Sequence, residues 1–340
     1  MDFEFTHGPK VVSGKHSTAN LASQLEGLEV SHPLIVTDPD IVAAGLLAPL
    51  VDSIEASGDD YTLFDEVESN PTTTVVEDGA ALAHQESVDG VVAVGGGSSI
   101  DAGKAISLLV PNGGNWVDYE GTPDVAEECL PLIAVPTTVG TGSEVTPSTV
   151  ITDVDRDIKM TTSAEGLFAN IALLDPSLLE SLPPRITAAT GMDSLTQAVE
   201  AYISPGANSI TDALAIESTR IIGENLRPAV SGTDSEALAM MQVATTIEGI
   251  AFHNAGLGLV HGMSEPVGGR FHTSHGITNA ILLPEVLEFN LIARPDRYVR
   301  LAEAMGIQTN GLTKREVAGA FVEAVIELSN DIVIPAGLSD

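Results

Sequence analysis

The amino-acid sequence predicts an α/β domain built on a mostly parallel sheet, followed by an all-helical domain. Three observations carry this reading. Short, fully apolar runs alternate with helical patterns through the first half of the chain, as in βαβ units covered on both faces. Glycine- and hydroxyl-rich turns follow two of those runs directly. After Pro183 and Pro184 the pattern changes to long stretches of helical periodicity, punctuated by Gly, Pro and Asn.

Taken in order, residues 33–38 read as a buried strand and 42–56 as a helix that Pro49 kinks. A short strand over 61–64 and a helix over 72–84 follow. The run 90–95 is a second buried strand, 99–109 a helix, 132–136 a third strand, and 170–174 a further one. The second half reads as helices over 186–203, 209–230, 235–253, 276–289, 296–305 and 313–328. The expected domains are therefore 1–182, an α/β dinucleotide-binding unit, and 183–340, a helical metal and substrate unit.

Composition excludes several classes. Aromatics are 4% and all hydrophobics 44% of the 340 residues, so the core must be aliphatic. No apolar run reaches the roughly eighteen residues that a spanning helix needs. The acidic N-terminus lacks a basic segment leading into an apolar one, and Cys129 is the sole cysteine, so a cytoplasmic enzyme is expected. Asp and Glu number 48 against 14 Lys and Arg, a formal net charge of −34. Such a surface repels nucleic acid and anionic membranes. The acidic residues are spread along periodic segments, so the charge reads as the solvated surface of a protein adapted to high salt. There the Debye length falls to about 3 Å at 1 M and self-repulsion is screened.

Gly95, Gly96, Gly97, Ser98 and Ser99 stand between a predicted strand and a predicted helix. Glycines let backbone N–H groups approach an anion, and the helix N-terminus adds a favourable dipole. The same residues also make a ligand-free strand–helix turn, and Lys104 beyond them reads as a solvated side chain. A second such loop, 136–146, follows the strand 132–136 with Thr137, Thr138, Thr141 and Thr146. Two such loops at strand C-termini point to a shared dinucleotide, because open α/β sheets bind ligands there. Asp38, at the end of the first strand, suits ribose hydroxyls and repels a 2′-phosphate, favouring NAD over NADP; a helix N-cap is its alternative role, shared with Asp40.

The helical half carries Asp193, His261 and His275. A carboxylate and two imidazoles suit Zn²⁺ or Fe²⁺, although isolated histidines are more often structural. Gln197 and Glu265 each lie four residues after one of these, on the same helix face. His7, His253 and His272 are read as structural or surface residues.

The segments 70–72, 95–104, 136–145, 190–196, 256–263 and 273–284, in this order, resemble the iron-containing alcohol dehydrogenase family over nearly the whole chain. The resemblance implies a dehydroquinate synthase-like architecture and a homodimer or larger homo-oligomer. It implies that Gly95 to Ser99 hold the pyrophosphate and that Thr137, Thr138, Thr141 and Thr146 line the nicotinamide side. Asp38 matches the position favouring NAD, Lys159 a cofactor-contacting lysine, and Asp193, His261 and His275 three metal ligands.

Two positions depart from the family's pattern, which has histidine where Gln197 and Glu265 stand. Gln197 offers a weaker, harder donor than imidazole. Glu265 is expected to relay the proton or to enter the coordination shell. The family also continues for a few helices past the residue where this chain stops. The activity implied is metal-dependent hydride transfer between NAD, or NADP, and a small alcohol or diol, with Glu265 and His275 as catalytic residues. The alternatives are a metal-independent reductase resembling the maleylacetate reductases and a non-catalytic cofactor-binding relative.

Overall fold

The computed structural model describes residues 3–232, 234–271 and 273–338. His272 lies outside the described residues. Contacts divide the chain into two compact units, one of residues 8–137 and 143–181, the other of residues 1–7, 138–142 and 182–340.

The first unit comprises β1 (Lys10–Ser13), α1 (Leu21–Glu26), β2 (Pro33–Val36), α2 (Pro39–Ala43), α3 (Ala48–Ser57), β3 (Thr62–Phe64), α4 (Thr73–Glu86), β4 (Gly90–Gly95), α5 (Gly97–Asn112), β5 (Leu132–Pro136), β6 (Ser148–Asp153), β7 (Ile158–Ser163) and β8 (Ile171–Leu174). Six strands form one sheet in the order β1-β8-β5-β4-β2-β3, and every pairing in it is parallel. β2, β4, β5 and β8 are buried at every residue, as befits strands covered on both faces.

Side chains alternate between the faces. Leu34, Val36, Val91, Ala93, Leu132 and Ala134 pack with Val76, Ala80, Ile100 and Ile106 of α4 and α5. Ile35, Val92, Val94, Ile133, Val135 and Leu173 pack with Leu21, Leu25, Leu50 and Ile54 of α1 and α3. From β2 the chain runs outward to β3 and then returns to β4 on the other side of β2. The C-terminal ends of β2 and β4 thus flank a topological switch point, where open α/β sheets bind ligands.

The expected kinked helix over 42–56 is two helices, and the break is not at Pro49. Gly45 takes φ +70° and ends the first, while Pro49 sits in the opening turn of α3, where its missing N–H costs nothing. Three features carried no prior expectation: α1, the edge strand β1, and the antiparallel hairpin β6–β7.

The helical unit comprises α6 (Pro184–Ile203), α7 (Ser209–Ser231), α8 (Ser235–Ala255), α9 (Leu259–Phe271), α10 (His275–Asn290), α11 (Pro295–Ala304) and α12 (Lys314–Asp331). α6 is central, packing against α7, α8 and α10, and is buried from Thr187 to Tyr202 except at Thr190. Polar caps fix its neighbours: Asn208 accepts from the Ile210 and Thr211 amides, and Asp234 from those of Glu236 and Ala237. α9 is absent from the helices read by periodicity, although His261 and Glu265 were expected on one helix face, and both lie on it. No helix among the described residues is long and apolar enough to cross a membrane.

Candidate functional site

Two clusters match the chemistry expected from the sequence. The first lies at the switch point of the sheet. Thr37 Oγ1 donates to the Val94 carbonyl at 2.8 Å, joining the ends of β2 and β4. Gly95 has φ +150°, and a Cβ there would stand 2.4 Å from Ser99 Oγ, so the turn into α5 requires glycine. α5 then starts at Gly97 with no side chain capping its first amides, which leaves these N–H groups to an anion.

Asp38 takes the helix-capping role and makes one further contact. Its Oδ1 accepts from the Ile41 amide at 3.0 Å, capping α2, and its Oδ2 accepts from Ser99 Oγ at 3.1 Å. The carboxylate is therefore held beside the glycine turn. Ser98 Oγ accepts from the Asn70 amide at 3.4 Å. A turn that excludes a Cβ, a helix N-terminus and a strand-end carboxylate together fit a dinucleotide.

The threonines divide between the two units. Thr137 and Thr146 are buried and belong with the sheet, while Thr138 and Thr141, both half-buried, belong with the helices. A Cβ on Gly140 would stand 2.1 Å from the Thr190 carbonyl, so this glycine serves close packing of the loop against α6. Lys159 is half-buried on β7, and its charge acts on Asp101.

Lys104, expected in solvent, is fully buried. Its Nζ donates to Ser143 Oγ at 2.9 Å and to the Ser148 carbonyl at 2.8 Å, tying α5 to the segment leading into β6. Burial lowers its pKa to about 8, against the pull of Asp101 and Glu144.

The second cluster lies in the helical unit. Asp193 on α6, His261 on α9 and His275 at the start of α10 bring one donor atom each to within 4.8 Å of one another. His261 Nε2 and His275 Nε2 are each 3.8 Å from Asp193 Oδ1. One carboxylate and two imidazoles, two of the three side chains buried, fit a divalent first-row cation.

Glu200, two turns beyond Asp193 on the same face of α6, holds this cluster in place and was not foreseen. Its buried carboxylate accepts from the amides of Gly258 at 3.0 Å, Val260 at 2.7 Å and His261 at 3.4 Å, satisfying the opening turn of α9. It also lies 2.7 Å from His261 Nδ1. A carboxylate only accepts, so Nδ1 carries the proton and the Nε2 lone pair faces Asp193. Burial opposes protonation of His261, but the Glu200 hydrogen bond and the charges of Asp193, Glu200 and Glu265 outweigh it and raise its pKa.

Asn279, one turn into α10 from His275, was also unforeseen. Its Nδ2 lies 2.6 Å from Asp193 Oδ1, 3.2 Å from His261 Nε2 and 3.1 Å from His275 Nε2. The sequence could have signalled both residues, since Glu200 and Asn279 lie seven and four positions after predicted ligands.

Gln197 is buried. With its amide nitrogen toward the acceptors, it donates one hydrogen to the Glu248 carboxylate, 2.6 Å from Oε1 and 3.0 Å from Oε2, and the other to the Gly140 carbonyl at 3.0 Å. Glu265 is exposed on α9, one turn past His261. His7 is exposed and His253 half-buried.

Comparison with known proteins places both halves in one family. Residues 8–176 match the family described as iron-containing alcohol dehydrogenase. Residues 187–340 match the C-terminal domain of the Fe-containing alcohol dehydrogenase family. The chain is 38% identical to an NAD-dependent methanol dehydrogenase of Bacillus methanolicus over 98% of this chain and 87% of that protein. It is 37% identical to lactaldehyde reductase of Escherichia coli K12, covering 96% of this chain and 86% of that protein. A solved 1,3-propanediol oxidoreductase superposes with TM-score 0.97 at 37% identity, covering 100% of this chain and 89% of the other.

Proposed function

The chain belongs to the iron-containing alcohol dehydrogenase family, and on that premise we propose how its residues carry out the reaction. The enzyme is an NAD-dependent alcohol dehydrogenase that interconverts an alcohol and its carbonyl product by hydride transfer. The observation that carries the mechanism is the convergence of Asp193, His261 and His275 on one point. These three residues hold Fe²⁺ or Zn²⁺. When bound, such a cation supplies Lewis acidity to the substrate oxygen, and the nicotinamide supplies the hydride acceptor.

The chain's own residues do the rest. Glu200 fixes the ring and tautomer of His261, so that Nε2 is presented without reorganisation. His275 presents its Nε2 from the opening turn of α10. Glu265, exposed one turn past His261, takes the substrate proton outward to solvent, a role its position on α9 supports. The N-terminus of α5 receives the pyrophosphate through the amides following Gly95, and Asp38 accepts from the ribose hydroxyls, favouring NAD over NADP. Thr137, Thr138, Thr141 and Thr146 line the nicotinamide side, and Lys159 contacts the cofactor.

Substrates are small alcohols or diols, in keeping with relatives named for methanol, 1,3-propanediol and lactaldehyde. Residence in a salt-rich cytoplasm and assembly as a homodimer or larger homo-oligomer complete the proposal. The charge of −34 supports the first part. The test is elemental analysis of protein purified in molar KCl without chelators, followed by assay with NAD⁺ and short alcohols. Near-stoichiometric iron or zinc with NAD⁺ reduction is expected. Protein that takes up neither ion yet turns over substrate would overturn the metal mechanism.

A further inference from the structure

Asn279 stands where a fourth donor would. Its side chain is buried, and its Nδ2 caps the triangle made by Asp193 Oδ1, His261 Nε2 and His275 Nε2 at 2.6, 3.2 and 3.1 Å. That orientation satisfies the nitrogen at the expense of the oxygen. An NH₂ group has two hydrogens, so when both imidazoles are in the ligating tautomer one of the three acceptor atoms facing it goes without. Its Oδ1 meanwhile is buried with no hydrogen-bond partner, a costly arrangement for a carbonyl oxygen.

A cation among the three donors reverses the preference, because N–H dipoles point their positive end at it and the carbonyl points its negative end. Turning the amide about χ2 exchanges the two atoms without moving the helix. Gln197, the residue at the family's fourth-ligand position, has its amide nitrogen directed to Glu248 and the Gly140 carbonyl.

We propose that Asn279, through Oδ1, is the fourth protein donor of the metal centre, its amide turning as the cation enters. The inference rests on the reading of Asp193, His261 and His275 as a metal site. The donor set becomes two imidazoles, a carboxylate and an amide oxygen, harder than the three-imidazole set of the family and biased toward borderline or hard divalent ions.

The test is titration of chelator-stripped protein in molar KCl with Co²⁺ and with Zn²⁺. Co²⁺ is included because its visible absorption reports coordination number. Wild type, Asn279→Ala, Asn279→Asp and Gln197→Ala are compared, each first checked for a wild-type far-UV spectrum and unfolding transition. Asn279→Ala is expected to weaken binding by about tenfold or more and to alter the Co²⁺ absorption. Asn279→Asp, which keeps an oxygen at the same reach, retains the affinity and the absorption. Gln197→Ala leaves both unchanged. Wild-type affinity and spectrum in Asn279→Ala, or their loss in Gln197→Ala instead, would overturn the assignment and leave the metal site standing. Failure of wild type to bind either ion would remove the metal site itself.

Discussion

Glu200→Gln separates a residue that merely caps a helix from one that tunes the metal centre. The substitution preserves shape and removes one acceptor. Glu200 Oε2 receives the Gly258 amide, the His261 amide and His261 Nδ1, while Oε1 receives the Val260 amide. A glutamine can place its oxygen in only one of these positions. With the oxygen in the Oε2 position, its NH₂ meets the Val260 N–H, and one buried donor loses its acceptor at a cost of about 1–3 kcal/mol. With the oxygen in the Oε1 position, the NH₂ meets His261 Nδ1 and favours the tautomer that protonates Nε2, which closes the lone pair to a cation.

Either way the charge that supports His261 is lost, and outer-shell changes of this kind weaken metal binding by about 10–100-fold. The assay is competition for Zn²⁺ against a chromophoric chelator in molar KCl, with urea unfolding of the stripped protein alongside. A weaker Kd, restored kcat at saturating zinc and a modest stability loss are expected. An unchanged Kd with the stability loss alone would reduce Glu200 to a cap for α9 and refute the tautomer argument.

Asp38→Asn keeps an acceptor for the Ile41 amide and removes the charge beside the α5 N-terminus; the ratio of kcat/KM for NAD⁺ over NADP⁺ should fall, and an unchanged ratio would take Asp38 out of cofactor selection. Lys104→Met leaves the Ser148 carbonyl without its Lys104 donor and Asp101 without its ion-pair partner; urea unfolding should show a loss of about 3 kcal/mol, the low end for one partner taken from a buried pair, because Asp101 keeps Ser143 and Val150 as donors and the charge of Lys159. The same pair of proteins gives a pH test. Folding lowers the Lys104 pKa from 10.5 to about 8, so between those values the unfolded chain binds the extra proton and stability rises with pH. The gap between wild type and Lys104→Met should therefore widen from pH 8 upward, by up to about 3 kcal/mol, and a constant gap would contradict burial as the cause. With a net charge of −34, the thermal midpoint should climb as KCl rises from about 0.1 to 1 M and the Debye length shrinks from about 10 to 3 Å; a flat profile would dismiss salt adaptation.

The parts of the fold legible in the sequence are those whose pattern does not depend on distant partners. β2, β4 and β5 stood out because burial on both faces leaves an unbroken apolar run. β1 did not, since three of its four residues are exposed. Ser and Thr at six of the twelve positions of β6 and β7, with an acidic turn, masked the alternation in that hairpin. α9 carries three glycines and Pro266, and the carboxylate that satisfies its first amides comes from α6. Lys104 was misplaced for the same reason, because its acceptors lie on segments about forty residues away.

The metal centre shows where same-face reasoning stops. Offsets of four and seven along a helix select Gln197, Glu200 and Asn279 alike as neighbours of the ligands, but they give only the face, not the reach. α8 sets Glu248 across from Gln197 and engages its amide nitrogen. The opening turn of α9 sets four N–H groups around Glu200. Asn279 Nδ2 is surrounded by Asp193, His261 and His275. Three polar residues with equivalent spacing thus take three different tasks, assigned by what each facing helix brings. The position where the family has a histidine as its fourth ligand is therefore, by spacing alone, a poor guide to the task of the residue that replaces it.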